Sequence, residues 1–272
     1  MGIQRFMYKV SAERQCNSAW TTFSFMATVA LLSSALYGLS QNTVANVPFL
    51  MIIAFVNSGA FLVATLTHIE ALKHIPTGVA YPIIRLNAVI VIIFSIVYFE
   101  DPLSAWQVVG IILAMTVIFI LTRDLPSGQD SRTNIKRGLV FVFISLIGGA
   151  VASISSKFAA VHTDKMAYIA VSYTMATLFS FALKGKFQTE ESNTNHRDAI
   201  LIGIVMGVIN LAGYYAFLAA LSTGPLSIIA SIGGMHFVIA ILLSRLIYKE
   251  RLTHWRIFGL FLTILSIILL RM

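Results

Sequence analysis

The sequence predicts an all-α integral membrane protein built from two copies of one helical unit. Of its 272 residues, 58% are hydrophobic and 11% are charged, whereas a soluble domain carries about 25% charged residues. Apolar stretches long enough to cross a bilayer recur along the whole chain. The chain also repeats itself, because residues 71–121 align without a gap on residues 220–270, at a constant offset of 149.

Rare residue types carry this internal repeat. Trp106 falls on Trp255, and Gly110 falls on Gly259. Apolar residues match by chance easily because few residue types are involved, but Trp and Gly at constant spacing do not. A duplicated membrane bundle is typical of transporters, in which the binding site lies between the two halves. The repeat therefore predicts transport.

The apolar spans are unequally divided between the two halves, with four in the first and five in the second. Shifting the fifth span by the offset places most of its partner before Met1. This predicts a ten-helix fold that lacks most of its first helix. An upstream start, a nine-helix variant and a short remnant at Gly2 to Tyr8 all stay open as explanations. The nine predicted transmembrane helices cover roughly 19–39, 49–72, 77–99, 105–121, 138–157, 167–184, 199–221, 225–247 and 255–270.

A polar segment separates the two repeats. Residues 122–137 contain Pro126, Gly128 and six charged residues, which is the composition of a linker. The first repeat is therefore predicted at 1–121 and the second at 138–272.

Basic residues predict the orientation in the membrane. Of the 19 Lys and Arg residues, fifteen lie on the side of the N-terminus, three lie on the other side, and Arg85 lies within a span. This excess predicts a cytoplasmic N-terminus. An odd number of helices in each complete unit then inverts the second copy relative to the first. The formal net charge of +8 does not indicate nucleic-acid binding, because the basic residues lie in short loops between spans.

Two corresponding turns carry a family resemblance. Residues 97–104 read Val-Tyr-Phe-Glu-Asp-Pro-Leu-Ser, and residues 248–255 read Tyr-Lys-Glu-Arg-Leu-Thr-His-Trp. In these turns the chain resembles the EamA-type carriers of the drug/metabolite transporter superfamily, which carry a Gly-Glu-Arg-Leu-Ser/Thr turn before the last helix of each repeat. The resemblance implies a ten-helix fold with a central cavity and alternating access.

The chain departs from this family pattern in two respects. The missing part of the first helix is expected to leave one side of the cavity open or dependent on a partner. The charge bias places the C-terminus outside, whereas ten-helix relatives are expected to have both ends in the cytoplasm.

Arg85 is the first candidate for substrate binding. It lies about nine residues into its span, or roughly 13 Å along a helix, and charged residues at such a depth are functional by default. The functional interpretation is a cation that holds a carboxylate or phosphate group. The alternatives are a guanidinium that reaches the membrane surface or pairs with Glu70. Tyr81, one turn away on the same face, would bind the ligand or orient Arg85.

Asn87 and His236 occupy equivalent positions in the two repeats. A polar pair related in this way is expected at a central site, although helix–helix hydrogen bonding would also explain it. On an ideal helix Asn87 lies about 200° from Arg85, so the two side chains would not both point into one cavity. His236 would also offer a protonation site.

Polar faces on two equivalent spans supply the remaining candidates. Asn57 lies on the span 49–72, and Asn210 and Tyr214 lie on the span 199–221. They would line a cavity or pack against neighbouring helices. On the latter span Gly203 and Gly207 form a small-residue ridge, which predicts close helix packing.

Other chemistries find no support in the sequence. It contains no zinc-protease, Cys-x-x-Cys or phosphate-loop motif and only one cysteine, so we expect neither an enzyme nor a cofactor. The sequence thus predicts a secondary carrier for a small polar metabolite, amino-acid-like or another organic solute, in the lipid bilayer of the plasma (inner) membrane. A homodimer stays open. The alternative is a truncated, non-transporting membrane subunit or regulator.

Overall fold

The described part of the chain is helical throughout and contains no strand. A computed structural model describes residues 2–40, 44–99, 104–123, 129–183, 196–224, 226, 229, 236–249, 252–269 and 272. The helices are α1 (Gly2–Glu13), α2 (Ser18–Leu39), α3 (Val47–His74), α4 (Thr77–Arg85), α5 (Asn87–Phe99), α6 (Ala105–Arg123), α7 (Gln129–His162), α8 (Lys165–Leu183), α9 (His196–Thr223), α10 (Phe237–Tyr248) and α11 (His254–Leu269).

The length and composition of these helices fit a bilayer. Among the described residues, five segments are long and apolar enough to span it, at 18–39, 47–74, 77–94, 134–162 and 196–223. Large apolar side chains such as Leu31, Phe55 and Leu246 are exposed on the outer surface, where lipid rather than water would cover them. The all-α membrane class is therefore confirmed, and the number of nine spans stays a prediction.

The internal repeat reappears in the helix boundaries. Helices α3 and α9 are both 28 residues long, and their ends differ by the offset of 149. Corresponding helices also pack on each other, since α2 contacts α8 and α6 contacts α11. Such self-pairing is expected where two similar units meet about a twofold-like axis. The turns at 100–103 and 250–251, the centre of the linker at 124–128 and most of 225–235 lie outside the described residues.

Helix α1 covers the N-terminal segment, for which the sequence predicted at most a short remnant of the first helix. The offset matches Gly2–Glu13 with 151–162, the C-terminal part of α7. The helix packs against α3, α9 and α10, and Tyr8 at its centre is fully buried. The short N-terminal segment is therefore an interior helix of the bundle rather than an exposed tail.

Side chains satisfy the exposed backbone groups at several helix ends. The Oδ1 of Asn17 accepts hydrogen bonds from the N–H groups of Ala19 and Trp20 at the start of α2, which is the usual role of an N-cap asparagine. At the end of α9, the Nζ of Lys157 donates to the carbonyls of Leu221 and Gly224, at 2.8 and 2.9 Å. A cation at a helix C-terminus also favours the helix dipole, so Lys157 joins α7 to α9.

The third predicted span is broken between α4 and α5. Pro82 has no N–H to donate within α4. Beyond it, the N–H of Leu86 donates to Ile83, and the N–H of Val89 donates to Leu86. These bonds reach back three residues rather than four, so the chain tightens into a 3₁₀ turn at Leu86. The direction of Asn87 therefore differs from that expected on an uninterrupted α-helix.

The predicted glycine ridge on α9 permits close contact with α2. A Cβ atom at Gly203 would collide with the Ser24 Oγ and lie 2.7 Å from the carbonyl of Thr21. A Cβ at Gly207 would lie 2.6 Å from the Cβ of Thr28. Because neither position has room for a side chain, the packing role predicted for this ridge is confirmed.

We expect Gly203→Ala to destabilise the bundle, because the added methyl group forces α2 and α9 apart at a cost of about 1–3 kcal/mol. The matched control is Gly38→Ala, since a Cβ at this helical glycine meets nothing within 4 Å. Thermal unfolding in mild detergent should show a lower Tm for Gly203→Ala and an unchanged or higher Tm for Gly38→Ala. Equal Tm values for the two variants would contradict this packing.

We expect the thiol of Cys16 to react slowly with a maleimide in the folded protein. Cys16 is fully buried between α1 and α2. Burial, followed by the nearby Asp198 charge, raises the pKa of the thiol, so less of the reactive thiolate is present at neutral pH. Mass spectrometry should show labelling roughly tenfold or more slower in mild detergent than in denaturant, and faster as the pH rises. Equal rates in the two states would contradict the buried position.

Candidate functional site

A cavity of about 110 Å³ lies where the two repeats meet. Helices α1, α3, α4, α5, α7 and α9 supply its walls, together with the residue that precedes α10. The lining combines two arginines and several amides and hydroxyls with apolar side chains such as Phe61 and Phe217. Such a mixture of apolar walls and a few polar groups is typical of small-molecule sites.

Most of the side chains predicted to bind substrate lie at this cavity. Of the seven candidates, five line it and two do not. Their assignment to substrate binding stays a prediction. The lining candidates are Arg85, Asn87, Asn210, Tyr214 and His236, and the others are Asn57 and Tyr81.

Arg85 is buried at the C-terminal end of α4, with 6% of its surface exposed. Its Nε and Nη2 atoms have no hydrogen-bond partner among the described residues. An ionised group without partners in an apolar interior is costly. The predicted alternative of a pair with Glu70 finds no support, because Glu70 forms an ion pair of 3.0 Å with Lys73. Arg85 is therefore a buried cation whose donors are available to a ligand.

Tyr81 holds α1 in position instead of lining the cavity. It is fully buried, and its hydroxyl donates a hydrogen bond to the backbone carbonyl of Arg5. The ring of His68 packs between the rings of Tyr81 and Tyr8, with centroid distances of 5.0 and 4.9 Å. These contacts join α1, α3 and α4, and the orientation of Arg85 by Tyr81 stays a prediction.

Helix α1 supplies two of the cavity residues that sequence reasoning missed. Gln4 and Arg5 line the cavity, although Arg5 counted as one of the basic residues on the N-terminal side. The repeat contained a signal for the first of them, because the offset places Gln4 on Ser153, which also lines the cavity. The side of the cavity expected to be open or completed by a partner therefore receives side chains from the chain's own N-terminal helix.

Asn57 joins two helices through its amide group. Its Nδ2 lies 3.0 Å from the carbonyl of Ala152, 2.9 Å from Ser155 Oγ and 3.3 Å from Ser156 Oγ, all of them on α7. The side chain is 2% exposed. This arrangement is the helix–helix hydrogen bonding that the sequence left open as an alternative.

Asn210 is held by two neighbours while it lines the cavity. Its Oδ1 accepts a hydrogen bond of 2.6 Å from the hydroxyl of Tyr173, and its Nδ2 donates at 3.2 Å to the Oε1 of Gln4. These bonds fix the orientation of the amide and connect α1, α8 and α9. A preorganised amide at a cavity wall can hydrogen-bond a ligand at little entropic cost.

Tyr214 contributes both to the polar and to the aromatic part of the wall. Its hydroxyl shares a hydrogen bond of 2.7 Å with Ser156 Oγ. Its ring stacks on Phe61 and Phe217, with interplanar angles of 14° and 20°. The aromatic cluster gives this side of the cavity a rigid apolar surface.

Asn87 and His236 both reach the cavity from the starts of equivalent helices. Asn87 is the first residue of α5, and His236 directly precedes α10. Gly149 on α7 makes room for the former, because a Cβ there would lie 3.1 Å from Asn87 Nδ2. The expectation that Arg85 and Asn87 would not share a cavity is wrong, since the helix breaks between them.

The described acidic, histidine and cysteine side chains form no metal centre. No group of three or more of them lies close enough to hold a metal ion in the parts of the chain that are described. The site as described offers cationic, amide and hydroxyl groups, which are able to form hydrogen bonds and charge interactions.

Comparison with known proteins agrees with this architecture. The EamA-like transporter family matches the chain twice, over residues 2–123 and 136–272. The chain belongs to the EamA-like transporter family. The family resemblance identified in the sequence is thereby confirmed, and the match begins at residue 2, so it includes α1. The protein is accordingly a multi-pass membrane transporter.

Two individual relatives support this assignment at different levels. An uncharacterized transporter of Archaeoglobus fulgidus is 24% identical over 211 residues, which cover 78% of this chain and 72% of the relative. A crystal structure of another protein superposes with a TM-score of 0.67 at 12% identity, covering 98% of this chain and 95% of that one. At this identity the second comparison shows the fold alone.

We expect Asn57→Ala to lower stability, because it removes the hydrogen bonds that join α3 to α7, at a cost of about 1–2 kcal/mol. The matched control is Ser58→Ala, since the Ser58 hydroxyl donates to Phe55 within α3 itself. Denaturant or thermal unfolding in detergent should place Asn57→Ala below Ser58→Ala. If Asn57→Ala unfolds like the wild type, these bonds do not stabilise the bundle.

Proposed function

We propose that this transporter is a secondary carrier that moves a small polar solute by alternating access around the cavity. The observation that carries the proposal is the buried guanidinium of Arg85, whose Nε and Nη2 lack partners among the described residues. A bound solute would supply these partners. Buried intramembrane charges without protein partners typically mark a transport pathway.

The position of the cavity favours alternating access. Residues from both repeats line it, and α2–α8 and α6–α11 pair corresponding helices of the two halves. A rigid-body movement of one half against the other would open the cavity first to one side and then to the other. The break between α4 and α5 at the cavity wall is a further feature of such carriers.

The energy source follows from the sequence. Because the chain contains no phosphate-loop motif, we propose that an ion gradient or solute exchange drives transport. We also propose that the N-terminus faces the cytoplasm, as the excess of basic residues on its side predicts, and that the carrier lies in the plasma (inner) membrane. Residues of one chain line the cavity, and a homodimer stays open.

The alternative is a non-transporting subunit, which the missing part of the first helix suggested. Helix α1 matches only the C-terminal part of that helix, but it contributes Gln4 and Arg5 to the cavity wall. A carrier accounts for the buried cation and the surrounding amides, whereas a regulatory subunit would leave them without a role. We therefore favour the carrier.

We expect Arg85→Ala to lower solute uptake roughly tenfold to a hundredfold, because hydrogen bonds to a charged group are lost. The solute is first identified by uptake of radiolabelled amino acids, organic acids and phosphate esters into wild-type proteoliposomes. The control is Arg137→Ala, which removes an equal charge at an exposed position on α7. The Tm of both purified variants checks that they fold.

Two results would overturn the proposed function. Wild-type protein that transports none of the tested solutes, beside a working reference carrier, would contradict a carrier of small polar metabolites. Arg85→Ala protein that folds and transports like the wild type would remove Arg85 from the pathway.

A further inference from the structure

The cavity is cationic, and no described residue of its lining is acidic. Arg5 on α1 and Arg85 on α4 both line it. The Nε of Arg5 is buried and, like the Nε and Nη2 of Arg85, has no hydrogen-bond partner among the described residues. The Arg5 side chain has two further contacts, since its Nη1 lies 3.4 Å from the Nδ1 of His68 and its guanidinium lies 5.2 Å from the centroid of the Tyr8 ring. The two guanidinium groups thus retain donors for a third group.

The described carboxylates are engaged elsewhere. Four acidic side chains are described, and each has a partner outside the cavity. None of them is placed to neutralise the two arginines. The pairs are Glu13 with Lys9, Glu70 with Lys73, Asp198 with Arg14, and Asp164 with the N–H of Ala167.

Backbone and ring contacts keep the two arginines on neighbouring walls. Tyr81 lies one turn before Arg85 on α4, and its hydroxyl binds the carbonyl of Arg5. The ring of His68 packs on Tyr81 while its Nδ1 faces Arg5. Both arginines line one cavity of about 110 Å³, and like charges in a region of low dielectric repel each other. An anion between them would remove this cost and satisfy their donors.

Helix ends of both polarities lie at the cavity, because α4 ends at Arg85, just before α5 begins. Helix α5 begins at Asn87, and α10 begins directly after His236, and both residues line the cavity. A helix N-terminus carries a partial positive charge, and in transporters such ends face the anionic groups of substrates. The N-terminal ends of α5 and α10 therefore add to the positive charge of the cavity, whereas the C-terminal end of α4 offsets part of it.

We propose that the solute is a small organic dianion, a dicarboxylate or phosphate monoester, whose negative groups bind between Arg5 and Arg85. This inference rests on the carrier function proposed above. A zwitterionic amino acid fits less well, because its ammonium group would meet two cations and no described carboxylate. Planar guanidinium groups bind carboxylate and phosphate through paired hydrogen bonds. Asn210 and Tyr214 offer hydrogen bonds to the rest of a small solute.

Probes of equal shape and different charge test this proposal. Succinate, succinamate and succinamide carry two, one and no negative charges on nearly the same skeleton. Each is titrated into wild-type protein in phosphatidylcholine nanodiscs, with calorimetry and thermal shift as readouts. Glycerol 3-phosphate against glycerol provides a second pair. We expect affinity to fall with each lost charge, by roughly tenfold or more per step.

Substitutions of Arg5 test whether the dependence of affinity on probe charge arises in the cavity. Arg5→Gln should weaken binding of the dianion roughly tenfold to a hundredfold. It should also reduce the ratio of the affinity for succinate to the affinity for succinamate. Arg5→Lys should keep part of this affinity ratio, since it retains the charge but loses the paired hydrogen bonds. Arg137→Gln removes an equal charge on the exposed part of α7 and should bind like the wild type. The Tm of each unliganded variant monitors folding.

The outcomes separate this inference from the carrier function. If the neutral probes bind as well as their anionic analogues, the proposal of a dianionic solute is overturned. Uptake of another solute by the carrier would not be affected by that result. Charge-ranked binding without uptake in proteoliposomes would support the anion site and contradict the carrier. A parallel titration in phosphatidylglycerol nanodiscs tests whether an anionic lipid headgroup binds at the same site. If this lipid displaces succinate, a lipid headgroup rather than a soluble dianion occupies the site, and the proposal is overturned.

Discussion

The buried charge of Arg85 is the constraint on which the interior of this transporter depends. A guanidinium with 6% of its surface exposed loses most of its hydration, and apolar packing does not replace it. The surrounding helices provide a cavity instead of a carboxylate. The break at Leu86 directs Arg85 and Asn87 into the same space. The polar interior is thus organised around a cation that the described residues leave without full compensation.

Helix α1 connects this charge to the rest of the fold. Its backbone is bonded to Tyr81, its Gln4 side chain is bonded to Asn210, and its Arg5 side chain reaches the cavity. The helix has only 12 residues, which is short for a membrane span. Its interior contacts explain why a segment of this length is ordered, because tertiary packing rather than intrinsic propensity stabilises short helices.

The polar residues of the bundle divide according to whether the protein itself satisfies them. Asn57 donates to three acceptors on α7 and so serves helix packing. Asn210 is also bonded, but it remains at the cavity wall. Arg85 retains unpartnered donors among the described residues. In a medium without water, a satisfied polar group stabilises the fold, whereas an unpartnered charge at a cavity wall indicates a place for a ligand.

The sequence alone determined the membrane class and the family, and it indicated where the long apolar helices lie. Hydropathy, the offset of 149 and the matching Trp and Gly positions are visible in the sequence itself, so they require no tertiary structure. It also indicated five side chains that line the cavity. Only the tertiary structure decided that Asn57 and Tyr81 contact neighbouring helices and that Arg5 faces the cavity. It also decided that a 3₁₀ turn brings Arg85 and Asn87 together. The reason is physical: periodicity gives the face on which a side chain lies, but the neighbouring helix determines whether that face meets a hydrogen-bond acceptor or an open space.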